Sequence, residues 1–377
     1  MKKALLLISL TLFALIIYSC SPQRGNDQNQ TTNPTTTPTT DSNTGDQNTA
    51  GQETDNMDNT NNEEAAMTQY YVYTANEADN TVSVIDMKTM KTIKNIDVGE
   101  GPHNVQATPD GKFVYVVENM GKSISAIDTD KNEVVNSIDV GVGPSHIIFS
   151  PDSKLAYVTV AEMLEEDKDV MGNMKEEEDG NVYVINLDTG KIDKKIKVGY
   201  MPHGLRMTPD NKYIYVANND SDNVSIIDTA ANTVTKTVDV GKKPVQVAPT
   251  PDGKYVLVTL SDDNSVAVID TATMEVTKTI PVGKTPIQIY ATPDSKFAYV
   301  ANTGSNNISV IDIASMSVVT YIDAGEKAHG VVISKDGKNV FVTNTDANNV
   351  TVVDAATNKV IGTISSGKGP NGITIIE

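Results

Sequence analysis

Short apolar runs alternate with polar positions from Gln69 to the end of the chain, and the same arrangement of runs recurs. One copy contains four of them, HNVQATP, KFVYVVEN, SISAIDT and EVVNSIDV, separated by turn-forming residues. Alternation with a period of two is typical of β-strands, and we find no helical period in this region. We therefore predict four short antiparallel strands in each copy, named a, b, c and d in this order.

The copies follow one another at a step of 42 residues, with a single step of 58 at the third copy. A period of this length with four strands per copy predicts a β-propeller blade. Seven copies fill residues 68–377, so the predicted fold is all-β, a seven-bladed propeller of four-stranded antiparallel blades. The chain enters at a strand b (Tyr71–Asn76) and ends on an isolated strand a (Asn371–Ile376). We predict that this last strand joins the N-terminal strands b, c and d and closes the ring.

Strand b of three copies carries closely related tetrads. They read YVAN at Tyr215–Asn218 and Tyr299–Asn302, and FVTN at Phe341–Asn344. These motifs resemble those of the YVTN family of bacterial and archaeal β-propellers, and the resemblance extends over all seven repeats. It implies the propeller fold but no particular activity. The chain has no tryptophan, which distinguishes it from WD-repeat propellers and from quinoprotein propellers with docking tryptophans.

Residues 1–19 have the pattern of a secretory signal peptide, in which two lysines precede an apolar run from Ala4 to Ile17. This run is shorter than the roughly 20 residues that a membrane-spanning helix requires. The sequence that ends in Cys20 resembles the lipobox of bacterial lipoproteins, which implies cleavage before Cys20 and acylation of its thiol. We expect an extracytoplasmic lipoprotein held to a membrane by this anchor.

Residues 20–67 are rich in Asn, Thr, Gln and Asp, and they contain too few apolar side chains to form a core, so a disordered tether is predicted. The chain carries a net charge of −19, and its only arginines are Arg24 and Arg206. A nucleic-acid partner is not expected, because nucleic-acid binding requires a clustered basic surface. With one cysteine in the chain, no disulfide can form within it, and we expect a monomer stabilised by its own core.

All four histidines of the chain lie near the start of a predicted strand a: His103, His146, His203 and His329. Because strand a is the innermost strand of a propeller blade, the four imidazoles are predicted to gather at one mouth of the central channel. Imidazole is a common ligand of transition metals. The placement is similar to that in the propellers of nitrous-oxide reductase and cytochrome cd nitrite reductase, which carry copper or haem at such a mouth.

Val245, Ile287 and Asn371 occupy positions where a full ring of histidines would continue. A multinuclear copper cluster is therefore not expected, and the metal interpretation is a simple Cu or Zn site. The alternative is that copied repeats carry copied histidines that line the channel without binding a ligand.

The extra residues of the third copy form an insertion at residues 162–181, between strands b and c. It should overhang the histidine mouth, since the b–c loop and the d–a turn lie on the same face. The insertion contains Met163, Met171 and Met174 among many carboxylates. Thioethers suit copper, whereas carboxylates suit Ca²⁺ or a basic partner. The alternative is a solvated acidic loop.

Two further groups are candidates for ligand binding. Arg206, on strand a of the fourth copy, could hold an anion or pair with a neighbouring carboxylate. The ends of strand b and the start of the last strand contribute a polar ring, which we predict to face the same mouth: Asn76, Asn119, Asn219, Asn302, Asn344 and Asn371.

No catalytic set of side chains can be identified, so the sequence favours a non-catalytic binding or scaffold module of the cell envelope. Its partner would be an envelope protein or a small ligand at the channel mouth. One alternative is a metal-binding redox or accessory protein that uses the histidines. The other is a lactonase-like hydrolase, since related propellers of that class place carboxylates, His and Arg around the channel.

Replacing Cys20 with alanine should release the protein from the membrane, because the thiol that would carry the lipid is lost. Membrane fractionation and labelling with a fatty-acid analogue measure this, and Ser19→Ala, which keeps a small residue beside the cysteine, is the matched control. Labelling of the Cys20→Ala protein would contradict the prediction.

Overall fold

The computed structural model describes residues 70–161 and 179–377, which fall within the compact unit Glu63–Glu377. They form seven four-stranded antiparallel sheets arranged as the blades of a propeller, which confirms the predicted fold class. Among these residues, no helix has both the length and the apolar character needed to cross a bilayer.

The strands are numbered in chain order, and each blade is given from its inner strand a to its outer strand d. Blade 1 is β28 (Pro370–Ile376), β1 (Tyr71–Asn76), β2 (Thr81–Asp86) and β3 (Lys91–Asp97); blade 2 is β4 (Pro102–Ala107), β5 (Phe113–Glu118), β6 (Ser123–Asp128) and β7 (Glu133–Asp139); blade 3 is β8 (Pro144–Phe149), β9 (Leu155–Val160), β10 (Asn181–Asn186) and β11 (Lys191–Lys197). Blade 4 is β12 (Pro202–Met207), β13 (Tyr213–Asn218), β14 (Asn223–Asp228) and β15 (Thr233–Asp239); blade 5 is β16 (Pro244–Pro249), β17 (Tyr255–Leu260), β18 (Ser265–Asp270) and β19 (Glu275–Pro281). Blade 6 is β20 (Pro286–Ala291), β21 (Phe297–Asn302), β22 (Asn307–Asp312) and β23 (Ser317–Asp323); blade 7 is β24 (Ala328–Ile333), β25 (Asn339–Asn344), β26 (Asn349–Asp354) and β27 (Lys359–Ser365).

The hydrophobic core is divided into seven clusters, each of which lies between two neighbouring blades. Strands b and c are buried on both faces because a blade packs against each side of them, so they read as nearly continuous apolar runs. In the outer strand β3 only Ile96 is buried, which accounts for the many charged and polar residues of strand d. The core therefore depends on every blade having two neighbours.

Strand β28 closes the ring by pairing antiparallel with β1. Tyr71 lies opposite Ile376, and Tyr73 lies opposite Thr374. This confirms the predicted closure, with the strand beginning one residue earlier than expected, at Pro370. The first and last strands of the fold thus form one blade.

Deleting residues 371–377 should strongly destabilise the propeller. The deletion leaves β1 without its inner partner and removes Ile373 from the cluster between blades 7 and 1. A buried isoleucine side chain alone contributes about 1.5–3 kcal/mol, so we expect the free energy of unfolding to fall by more than about 3 kcal/mol. Urea unfolding measures the difference, and deletion of the exposed Glu377 alone is the control. Equal stability of the truncated and full-length proteins would contradict this account of closure.

Candidate metal centre

The inner strands of neighbouring blades contact one another around the centre of the ring, in the order β28, β4, β8, β12, β16, β20 and β24. Their second residues lie at the same level of the channel: Asn371, His103, Ser145, His203, Val245, Ile287 and His329. His146 is the third residue of β8. The inner strands therefore bring all of the imidazoles in the chain to one end of the channel.

The four histidine rings contact one another. The ring centroids of His146 and His203 are 4.4 Å apart, and that of His103 lies 5.4 Å from His203 and 5.6 Å from His146. His329 is farther out, with its centroid 6.2 Å from that of His103. Three histidines thus form a compact group, which we call the imidazole trio (His103, His146 and His203), with His329 beside it.

The trio can present one nitrogen from each ring, and these nitrogens all lie within 4.8 Å of one another. A tetrahedral Zn²⁺ bound at about 2.0–2.1 Å to each nitrogen needs them roughly 3.4 Å apart. Small side-chain rotations would therefore bring the ligands to bonding distance. His146 is the most deeply buried of the three, and its Nε2 has no hydrogen-bond partner within the described residues.

Hydrogen bonds hold two of these rings in position. Nδ1 of His203 lies 3.1 Å from the carbonyl oxygen of Val245. Because a carbonyl only accepts, Nδ1 carries the proton and Nε2 keeps its lone pair. Nδ1 of His146 is 3.0 Å from the hydroxyl of Ser145. Contacts of this kind orient imidazoles that bind metals.

Burial keeps these imidazoles neutral. It lowers the pKa of His146 well below its usual value, and the neighbouring imidazoles of His203 and His103 lower it further. The pKa of His203 is lowered to about 3 and that of His329 to about 4. Burial is the larger cause in both, and the neighbouring His103 is the second. At neutral pH these rings therefore have lone pairs available for a metal ion.

Glu77 is a site residue that the sequence analysis missed. Its Oε2 lies 3.9 Å from Nδ1 of His103, and Asn371 donates a hydrogen bond to the same oxygen. Burial raises the pKa of Glu77, but its interactions with His103, His329 and Asn371 outweigh burial, and the pKa lies below the usual value. A carboxylate therefore stands beside the imidazole trio.

The repeat explains why Glu77 faces the histidines. Glu77 directly follows strand b, and in blades 2, 4, 6 and 7 this position holds a side chain that donates to the first carbonyl of the next strand a. Asn119 donates to Pro144, Asn219 to Pro244 and Thr303 to Ala328. A carboxylate cannot donate, so Glu77 turns to other partners. Comparing the residue after strand b in all seven repeats would have identified it as the one acid.

Asn76, Asn302 and Asn344 are three members of the predicted ligand-binding asparagine ring. These residues end strand b inside the blades, where they are fully buried. Their amides donate to hydroxyl groups of strand c, on Ser83, Ser309 and Thr351 respectively. The amides are thus used to join strands b and c and are not free to bind a ligand.

Of the other predicted asparagines, two lie just beyond strand b and one lies at the site. Asn119 and Asn219 are one position beyond strand b, since Glu118 and Asn218 are its last residues, and their amides bind backbone carbonyls as described above. Asn371 does lie at the site, through its contact with Glu77.

Arg206 and the histidines lie at different levels of the channel. Arg206 is three residues beyond His203 on β12, or about 10 Å farther along the strand at 3.3 Å per residue. It borders a cavity at the other end of the inner strands, with Tyr290 and Pro249. The structure therefore places Arg206 at a different level from the imidazole trio, although its charge is near enough to contribute to the lowered pKa of His146.

The insertion at residues 162–181 lies largely outside the described residues, and so do its methionines. The residues that flank it are described. The amide of Ala161 donates to the carbonyl of Gly143, and that of Gly180 to the carbonyl of Gly199, so both ends of the insertion lie beside d–a turns. These turns are on the face where the histidines lie.

The metal-free protein should lose stability as the pH falls from about 6.5. The pKa values of His203 and His329 are lowered in the folded state, so the unfolded chain takes up protons first, and acid favours unfolding until the folded-state pKa is reached. At pH 5, each histidine that stays neutral in the folded state should lower the free energy of unfolding by about 2 kcal/mol, because its pKa in the unfolded chain is about 6.5. Urea unfolding in EDTA at pH 7.5 and 5.0 measures this, with a His203→Gln/His329→Gln protein as the control. Equal losses in the two proteins would show that other groups are responsible.

Solved structures with the same fold include "Kuenenia stuttgartiensis Hydrazine Synthase", with a TM-score of 0.63 and 21% sequence identity over 73% of this chain and 95% of the other. A functionally unknown protein from Desulfotomaculum acetoxidans DSM 771 is similar with a TM-score of 0.69 and 16% identity, covering 81% and 99% of the two chains. The structure titled "Dihydro-heme d1 dehydrogenase NirN in complex with DHE" has a TM-score of 0.59 and 14% identity, covering 81% and 74%. At these identities the likeness concerns the fold alone.

A search of curated proteins found no match to this chain. The model of the YNCE-like beta-propeller family matches residues 58–377, which include all seven blades and every residue of the candidate site described above. Repeat length, ring closure and family match agree, and the chain belongs to the YNCE-like beta-propeller family.

Proposed function

We propose that this propeller is a binding module that takes a transition-metal ion, Zn²⁺ or copper, at the imidazole trio. The observation that carries the proposal is the convergence of three ring nitrogens within 4.8 Å of one another. The three ligands come from β4, β8 and β12, which are adjacent inner strands. Ligands on rigid neighbouring strands are held with little freedom, which favours a defined site.

Metal binding accounts for features that a mere channel lining does not. The buried Nε2 of His146 has no partner in the described part of the chain, and an unsatisfied buried polar atom costs about 1–3 kcal/mol. A metal ion would satisfy this nitrogen. The contact of His203 with Val245 leaves Nε2 as the free nitrogen of that ring, as a metal ligand requires.

The donor set indicates the kind of metal. Imidazole nitrogens suit Zn²⁺ and copper, whereas Mg²⁺ and Ca²⁺ prefer oxygen ligands. Three histidines leave the fourth position of a tetrahedral ion for water or a small ligand. Glu77 lies 3.9 Å from Nδ1 of His103 and would help to orient that ring, as carboxylates beside metal-binding imidazoles do.

The cellular setting is part of the same proposal. Cys20 would carry the lipid anchor, residues 21–67 would tether the propeller outside the cytoplasm, and an envelope protein or small ligand would reach the metal from the channel mouth. The geometry gives little support to a lactonase-like hydrolase, because such a site would need Arg206 and the histidines in one place. They lie at different levels of β12.

Titration of the EDTA-treated full chain, purified without a histidine tag, should show one equivalent of Zn²⁺ or Cu²⁺ bound. His146→Gln and His203→Gln each remove a ligand, so we expect their affinities to fall by more than about 100-fold, beyond the 10–100-fold typical of supporting residues. Calorimetry, with elemental analysis of the untreated protein, provides the measurement.

His329→Gln is the matched control, since it removes an imidazole from the same channel but not from the trio. Its affinity should stay within about tenfold of wild type, below the 10–100-fold loss that is typical of supporting residues. Absence of stoichiometric binding, or equal losses in all three variants, would show that the trio is not a metal site.

A further inference from the structure

The channel end opposite the histidines contains a cavity of about 310 Å³. Arg206 and Tyr290 border it, and the rest of its wall is mainly apolar, with Met207, Ala248 and Pro249 among the lining residues. A second cavity, of about 250 Å³, adjoins it and shares Arg206 and Tyr290. These volumes are at the small end of those found for ligand pockets.

Arg206 has no carboxylate partner within 4.0 Å in the part of the chain that the structure describes. Its guanidinium makes one hydrogen bond there, from Nη1 to the carbonyl oxygen of Leu205 at 3.2 Å. A guanidinium has five N–H donors, so most of them are left for another acceptor. The sequence left open whether Arg206 pairs with a carboxylate or holds an anion, and the first possibility is not realised among these residues.

A partly buried cation without a carboxylate partner among the described residues is unusual, because removing a charge from water is costly unless an opposite charge compensates. Burial lowers the pKa of Arg206, and Tyr290 acts in the opposite direction, which places the phenol in the electrostatic environment of the guanidinium. The Tyr290 hydroxyl makes no hydrogen bond within the described residues. The cavity thus offers a guanidinium fork and a phenol on an otherwise apolar wall.

The charge around the cavity limits the kind of anion. Arg206 is the only arginine of the propeller, and the net charge of the chain is −19. Asp110 and Glu377 line the adjoining cavity and would repel a dianion. A carboxylate carries one charge and matches the two parallel N–H groups of a guanidinium. The apolar wall favours removal of the ligand's hydrocarbon part from water.

We infer that this cavity binds a small organic monocarboxylate, with its carboxylate on Arg206 and Tyr290 and its apolar body against Met207, Ala248 and Pro249. The site is separate from the imidazole trio and goes beyond the proposed metal binding. It gives the propeller two ligand sites of different chemistry, one near each end of its channel.

The test is calorimetric titration of the full chain with hexanoate and benzoate, and with inorganic phosphate as the competing class of anion. We expect both carboxylates to bind and phosphate to bind more weakly. Arg206→Gln should reduce carboxylate affinity by more than tenfold, because the bidentate pair is lost, and Arg206→Lys should recover only part of it. Tyr290→Phe should weaken binding by a smaller factor.

Lys335→Gln is the matched control, since it removes one positive charge beside the adjoining cavity without touching the carboxylate position. Its affinity should stay within about threefold of wild type, as for a screened surface charge. The His146→Gln protein should bind carboxylate normally, which separates this inference from the metal proposal. If Arg206→Gln does not fold, Arg206→Lys and Tyr290→Phe decide the matter. No carboxylate binding, equal binding by the arginine variants, or tighter binding of phosphate would overturn the inference.

Discussion

The pairing of the last strand with the first is the interaction on which this structure depends. Each core cluster needs two blades, so an open ring would leave two blade faces exposed to water. The pairing of β28 with β1 supplies the missing strand and gives every blade a neighbour on each side. It also forms part of the site. Asn371 enters with β28 and binds Glu77, although 294 positions separate the two residues in the chain.

Close packing of the inner strands brings the imidazoles together. Gly204, next to His203, lies so near β16 that a β-carbon there would be 2.7 Å from the carbonyl oxygen of Val245. The same is true of Gly330, next to His329, where a β-carbon would collide with the carbonyl oxygen of Asn371 on β28. A larger residue would force the strands apart, because real β-carbons do not approach other atoms so closely. Glycines beside the histidines thus keep the channel narrow at this level.

The two ends of the channel differ because each depends on different residues of the same strands. On β12, His203 belongs to the imidazole trio, and Arg206 borders an apolar cavity. The first environment favours neutral nitrogen donors, and the second leaves one cation without a counter-charge. A single inner strand can therefore serve two sites, because its residues lie at different heights along the channel and a register shift between Pro202 and Leu205 interrupts the regular alternation of its side chains. The proposed metal and carboxylate sites follow from this arrangement.

The sequence by itself determined the seven blades, their four strands, the closure and the common level of the histidines, because each is written into a regular local repeat. It could not show the surroundings of a side chain that depend on how strands pack in space. Asn76 and Asn302 looked like surface donors, but strand packing buries them against hydroxyl groups of strand c. Glu77 gave no signal within its own repeat, since its partners His103 and Asn371 come from blade 2 and from the far end of the chain. Only the tertiary structure decided these positions, because hydrogen-bond partners and the cost of burial are fixed by which strands meet in space.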